Sequence, residues 1–376
     1  MYKEIYKSKI REILNNYKGN YAEYLKERYK KCKHICIFGC GNMGRNMPEM
    51  LKEYGLIVDC YCDNDKSKVG MDVHGYGIPC ISLDDLIKIK DETAVIVPTR
   101  YYKEIYKQLK DLNFPIVDRL FHVRFTMENY LKNINRKEVA EHICKTIDIL
   151  DDEESCRVIT RLVEEWTRND YTYGQIDDIY TIPQYFPKDI IKNNTEEVFV
   201  DCGAYNGDNI HDFLEFENYK FKKYYGFELN QKNYLELNAH IQKEWSNLKD
   251  KFITENKGVS DFSGTIQYAD RCEGSKISEA GNATGETVTL DDYFGNNKVT
   301  FIKMDIEGAE MPALQGGKEL ISNNYPVLAI CIYHKPDDFW VIPQYIKKNW
   351  NNYKLYVRHH TDLMTETVLY AVKGDN

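Results

Sequence analysis

Acids and glycines are spaced for ligand chemistry in several short stretches of this 376-residue chain. In VFVDCGAYNGDN (198–209) an apolar run ends in Asp201 and opens into a turn made of Gly203, Ala204, Tyr205, Asn206 and Gly207, with Asp208 directly after. Two carboxylates and no base repel a pyrophosphate. They suit a ligand with an ammonium and a sulfonium, and S-adenosylmethionine has both. YYGFELN then ends an apolar run in Glu228, 25 residues after Gly203 and two before Asn230. An acid at the end of a second strand can accept two hydroxyl hydrogen bonds from a ribose. Two later runs also end in ionisable groups: KMDIEGAE carries Asp305, Glu307 and Glu310, and ICIYHKPDD carries His334.

A second glycine turn has the opposite chemistry. FGCGNMGR holds Gly39, Gly41 and Gly44 at G-x-G-x-x-G spacing, with Asn42 inside the turn, Arg45 after it and no acid. Helix N-terminal N–H groups and a base suit phosphate. Asp63, 19 residues after Gly44, ends the next apolar run where it could hold a ribose. The turn therefore reads as a nucleotide or nucleotide-sugar site, or as the same fold kept as a scaffold without a ligand.

The elements that must position these residues are α/β. Residues 1–32 carry apolar residues at helical spacing (Ile5, Ile10, Ile13, Leu14). From 33 to 122 short apolar runs alternate with helical stretches, which predicts a Rossmann-like βα domain. Residues 123–192 have no strand pattern and read as a helical connector, broken near Asp151–Asp152 and ended by the prolines of IPQYFPKDII. Residues 193–376 open a second βα series, with strands expected at 197–202, 223–229, 252–260, 299–305 and 326–334. It closes with YKLYVRHHT and TETVLYAVK, joined so briefly that they must pair antiparallel.

Composition narrows the partners. A net charge of −9 and 43% hydrophobic residues fit globular domains and argue against a nucleic-acid backbone. No apolar run is long enough to span a bilayer, and the N-terminus lacks a signal-peptide core, so a cytoplasmic location is expected. Eleven cysteines without a C-x-x-C pair read as reduced core residues.

VFVDCGAYNGD, YYGFELN, TLDDYF, FIKMDIEGAEMPALQGG, YHKPDDFW and LYVRHH…ETVLYAV together resemble the FkbM-type methyltransferases, over about 184–373. The resemblance implies a class I methyltransferase domain with a seven-stranded sheet, S-adenosylmethionine as methyl donor, and O-methylation of sugar or polyketide hydroxyls. One departure is Asn209, where Thr often follows the turn. Residues 34–120 are similar to nucleotide-sugar-binding domains of bacterial surface-polysaccharide enzymes. Together these imply O-methylation of a sugar hydroxyl on a bacterial glycan or nucleotide-sugar precursor.

In that chemistry the enzyme must align the acceptor and take its proton. His334 is the leading base, with Asp305 as the alternative or as its orienting partner, and Glu307 beside them. Asp305, Glu307 and Glu310 could instead cap a helix starting near Pro312. Mg²⁺ at Asp305, Glu307 and His334 is disfavoured, because a hard cation needs more oxygens. Gly258 and Val259 read as a wall beside adenine, Tyr185 and Phe186 as an aromatic lid, and His359 and His360 as structural. Two other readings are a non-catalytic nucleotide-binding protein and an NAD-dependent sugar-nucleotide oxidoreductase, the latter without a visible Tyr-x-x-x-Lys motif.

Overall fold

Five short apolar runs near the N-terminus become strands: β1 (His34–Phe38), β2 (Cys60–Cys62), β3 (Cys80–Ile81), β4 (Thr93–Ile96) and β5 (Ile116–Asp118). They form a wholly parallel sheet in the order β3-β2-β1-β4-β5. β2 and β4 are buried along their whole length and β1 beyond its first residue, as expected when crossover helices cover both faces. The sheet matches the βα series expected over 33–122. This is a computed structural model, describing residues 2–99, 101–120, 122–168, 176–269, 276–277 and 281–374.

The second series supplies β6 (Val198–Cys202), β7 (Lys223–Phe227), β8 (Phe252–Glu255), β9 (Gly258–Val259), β10 (Gly264–Ala269), β11 (Lys276–Ile277), β12 (Ala283–Val288), β13 (Phe301–Met304), β14 (Val327–Cys331), β15 (Tyr353–His359) and β16 (Thr367–Lys373). Seven of them form one sheet in the order β15-β16-β14-β13-β6-β7-β8. β8, β7, β6, β13 and β14 run parallel, and the closing hairpin β15–β16 adds two antiparallel strands, as its short link requires. An aromatic cluster lies under this sheet, with the Phe199 and Phe213 rings 4.6 Å apart.

Two expectations change. The single strand expected over 252–260 is two strands, since β9 leaves the main sheet. β9 pairs with β12 in a separate four-stranded sheet, β11-β10-β12-β9, which the sequence reading did not anticipate. GTIQYA and ATGETV are mostly solvated, so their hydrophobic alternation is faint.

The chain divides into two compact units. One comprises Glu12–Lys137 and Leu162–Asp178, the other Met1–Arg11, Glu138–Arg161 and Ile179–Asn376. The boundaries therefore cut through the helices of 123–192. Within the second unit, the break between helices Arg136–Ile149 and Glu153–Thr167 pairs with the outer edge of β15. The Asp151 N–H donates to Leu355 O, Leu355 N–H to Asp151 Oδ2 and Val357 N–H to Ser155 Oγ, while Arg358 lies 2.7 Å from Asp152. The hydrogen bonds occupy groups that an open sheet edge would expose.

Candidate active site

β13 and β14 run parallel and in register, with Met304 opposite Ile330. Asp305 therefore emerges beside the loop that carries His334. The His334 Nε2 lies 3.3 Å from Asp305 Oδ1, and its Nδ1 lies 2.9 Å from Glu310 Oε1. Glu307 Oε2 is 3.9 Å from Nε2. Burial would lower the His334 pKa, but the Glu310 and Asp305 carboxylates hold it well above 6.5. Burial would likewise raise Asp305, and the His334 hydrogen bond, the Lys303 charge and the Tyr185 hydroxyl overcome it, so the carboxyl sits well below the usual range. The raised His334 and lowered Asp305 pKa values favour the charged forms of both groups, whereas the sequence led to a neutral imidazole base. Asp338, 4% exposed and hydrogen-bonded to Lys335 N–H, is pushed up to about 7 chiefly by burial and then by Glu310.

The helix following β13 begins at Glu310 rather than near Pro312. Glu310 Oε1 accepts the Ile306 N–H, so this acid fastens the loop as well as pairing with His334. Glu307 takes a left-handed φ of 57° and is partly exposed.

The glycine turn after β6 places its first aspartate inside the protein. Asp201 was expected to hold an ammonium, yet it is 1% exposed and bound within the protein. Tyr224 O–H donates to its Oδ2 at 2.7 Å, and Lys303 Nζ lies 2.8 Å from its Oδ1. Lys303 stands opposite Asp201 in the sheet and also donates to Gly203 O at 2.8 Å. A lysine in the apolar run FIKMDI, matched to the aspartate of VFVDC, was the signal available in the sequence. Gly203 is required by the protein's own backbone. At φ 83°, an added Cβ would lie 1.9 Å from Asp305 O. The tight packing joins the glycine turn to the Asp305 loop.

Other residues fit the cofactor reading. Glu228 directly follows β7 at 8% exposure and accepts the Tyr205 N–H at 2.9 Å and the Asn230 N–H at 2.7 Å, one on each oxygen. The Asn233 side chain also hydrogen-bonds this carboxylate. Burial raises its pKa above the ordinary value against the pull of those N–H donors. Asn230 also caps the helix Gln231–Glu244 through Lys232 and Asn233 N–H. Asn206 Oδ1 is buried without a hydrogen-bond partner and Asp208 is exposed, so these two, rather than Asp201, are the acceptors left for an ammonium. Ala204 is buried. Gly258 and Val259 form β9, where Gly258 faces Leu229 and Thr287, and Val259 is 2% exposed. Among the described residues no cluster of His, Cys, Asp or Glu has metal-binding geometry.

Tyr185 is not a lid. It is 1% exposed, and its hydroxyl donates to Asp305 Oδ2 at 2.7 Å. Phe186 packs into the aromatic cluster. His359 and His360 are buried and pushed down to about 4 by burial; His359 bonds Thr367 Oγ1 and Leu363 O, and His360 bonds Thr181 O and Tyr370 O–H.

At the N-terminal turn, Gly41, Asn42 and Arg45 are exposed, and nothing lies within 4 Å of a Cβ added to Gly41. Gly39 turns at φ 114°, and Gly44 packs on Gly39 O. Asp63 is occupied: it accepts the Cys40 and Asp65 N–H groups and pairs with Lys68 at 2.9 Å, fastening the turn.

Residues 201–365 match the family model of the methyltransferase FkbM domain. Residues 3–114 match that of the C-methyltransferase C-terminal domain, a methyltransferase label rather than a nucleotide-sugar one. A methyltransferase FkbM from Methylobacillus flagellatus KT has a similar fold, with a TM-score of 0.74 at 19% identity over 99% of each chain. An rRNA methylase from Streptococcus thermophilus (TM-score 0.32, 16% identity, 50% of this chain and 91% of that chain) overlaps only in part. So does a SAM-dependent methyltransferase from Aquifex aeolicus (TM-score 0.30, 14% identity, 49% and 85%). No curated protein matches the chain. Over residues 201–365 the chain is thus similar to the methyltransferase FkbM domain, and its fold is similar to that of a methyltransferase FkbM.

Proposed function

We propose that the chain is an S-adenosylmethionine-dependent O-methyltransferase acting on a sugar hydroxyl of a glycan or nucleotide-sugar. The observation that carries this reading is Asp305, held at the carboxyl ends of adjacent strands between His334 and Tyr185. Glu228 holds the ribose of the cofactor, and Asn206 and Asp208 its amine end. Bound S-adenosylmethionine supplies a methyl group already activated on a sulfonium.

Asp305 accepts a hydrogen bond from the acceptor hydroxyl and aligns its oxygen. An acceptor oxygen that takes the methyl group becomes positive, and its proton would be strongly acidic. A weak base at hydrogen-bond distance then suffices, and the proton passes to Asp305. His334 stays charged throughout and keeps Asp305 ionised.

A carbon acceptor is the second reading, favoured by the C-methyltransferase name of the model matching residues 3–114. Incubating the full chain with ¹³C-methyl-labelled S-adenosylmethionine and a panel of nucleotide-sugars and glycans tests both. The NMR shift of the product methyl separates attachment to oxygen from attachment to carbon, and no transfer to any member would count against the sugar acceptor. For the N-terminal glycine turn we propose a phosphate-bearing nucleotide or nucleotide-sugar, because no packing among the described residues demands glycine at the open position 41.

A further inference from the structure

Asp305 Oδ2 is held from the far side of the sheet's closing hairpin by an unbroken run of hydrogen bonds. His360 Nδ1 lies 2.7 Å from Thr181 O, and Tyr370 O–H lies 2.8 Å from His360 Nε2. The Tyr185 N–H donates to Tyr370 Oη at 3.0 Å, and the Tyr185 hydroxyl donates to Asp305 Oδ2 at 2.7 Å. Tyr185 and Tyr370 are at most 1% exposed and His360 is 4% exposed. With the imidazole pushed down to about 4 by burial, His360 is neutral, and Nδ1–H to Thr181 leaves Nε2 as an acceptor. The Tyr370 O–H and the Tyr185 N–H then each have one acceptor, and the Tyr185 hydroxyl, which donates to Asp305, also lies 3.6 Å from Cys331 Sγ.

The backbone at Tyr185 is left-handed, with φ 67°. For a bulky residue this is an outlier that the surroundings must impose. The Tyr370 hydroxyl supplies one constraint. A second is Gln184, whose Nε2 donates to Glu366 Oε2 at 2.7 Å in the hairpin loop. The phenol is thus aimed by two hydrogen bonds to the hairpin, and its aim determines where Asp305 Oδ2 sits. Oδ1 keeps only longer contacts, 3.3 Å to His334 and 3.3 Å to Tyr333 O–H, so it is the oxygen free to exchange a partner.

We infer that Tyr185 is a positioning residue for methyl transfer: its hydroxyl, aimed by Tyr370 and His360, locks Asp305 Oδ2 and turns Oδ1 toward the acceptor. The inference rests on the reading of Asp305 as the proton acceptor. Tyr185 touches no substrate in this scheme, and its action passes through the carboxylate.

The test uses the full chain carrying Tyr185→Phe, which keeps the ring and removes one oxygen. A crystal structure of this variant should show the Asp305 carboxylate rotated away from its present position, with the aromatic ring at position 185 still in place. An unmoved carboxylate overturns the inference without any acceptor being known. With an acceptor found in the labelling panel, Tyr185→Phe should lower kcat about 10-fold while calorimetric affinity for S-adenosylmethionine stays within about twofold of wild type. Tyr370→Phe, one bond further away, should lower kcat by a smaller factor and serves if Tyr185→Phe does not fold. Wild-type kcat in Tyr185→Phe beside a crippled Asp305→Asn overturns the positioning role alone. Wild-type kcat in Asp305→Asn overturns the reading beneath it.

Discussion

The charge state of one histidine decides the chemistry at residue scale. His334 faces Glu310 and Asp305 at 2.9 and 3.3 Å, and its pKa is raised well above 6.5. A raised histidine keeps its ion pairs at low pH and loses them as pH climbs through the raised value. Turnover should therefore hold through pH 6.5 and decline only as pH climbs through the raised His334 value. A rise in kcat through 6.5 would restore the free imidazole as base. Asp305→Asn should lower kcat about 10²-fold, and His334→Gln about 10-fold, because the amide donates a hydrogen bond without charge. Glu228→Ala should weaken S-adenosylmethionine about 10- to 100-fold by calorimetry, with a melting curve confirming that the variant folds. Unchanged affinity would remove Glu228 from the ribose.

Two strand ends at element scale are built as one object. Lys303 on β13 holds Asp201 and the Gly203 carbonyl at the end of β6, and Gly203 leaves no room for a methyl group against Asp305 O. Gly203→Ala should cost about 3 kcal/mol in urea unfolding, through backbone overlap and a φ of 83° that alanine resists. A loss below about 1 kcal/mol would mean that the loops yield easily. The glycine turn was legible as a turn, but its first glycine answers to the neighbouring loop rather than to a ligand. That could not be read from one strand, because it depends on which strand lies alongside.

Stability and activity have separate acid clusters at the scale of the whole molecule. At the amino ends of the C-terminal strands, Glu197 receives the Thr300 hydroxyl and Glu217 accepts the Asn194 N–H at 2.8 Å. They are 3% and 1% exposed, and burial pushes each from 4.5 up to about 7. The stability they confer is complete below pH 4.5 and is lost as pH rises through about 7, up to about 3 kcal/mol for each group. Urea midpoints between pH 5.5 and 8 should accordingly fall less in Glu217→Gln than in wild type, and parallel slopes would refute the assignment. For the N-terminal turn, a uridine or guanosine diphosphate-sugar should raise the melting temperature of the full chain, and Gly41→Val should remove that shift. No shift with any nucleotide or nucleotide-sugar leaves the turn a scaffold. Among the described residues, no helix is long and apolar enough to cross a membrane.

Sequence alone determined the two βα series, the antiparallel closure and the meeting of Asp305 with His334. These follow from local apolar runs, from a link too short for a crossover, and from acids placed at strand ends. Tertiary structure decided the roles. It paired Asp201 with Lys303, buried Tyr185 against Asp305, and raised the His334 pKa by surrounding the imidazole with carboxylates. Each of these turns on a partner distant in the chain, 102 residues from Asp201 to Lys303 and 120 from Tyr185 to Asp305. A side chain's charge and accessibility belong to its surroundings, and those exist only once the strands have paired.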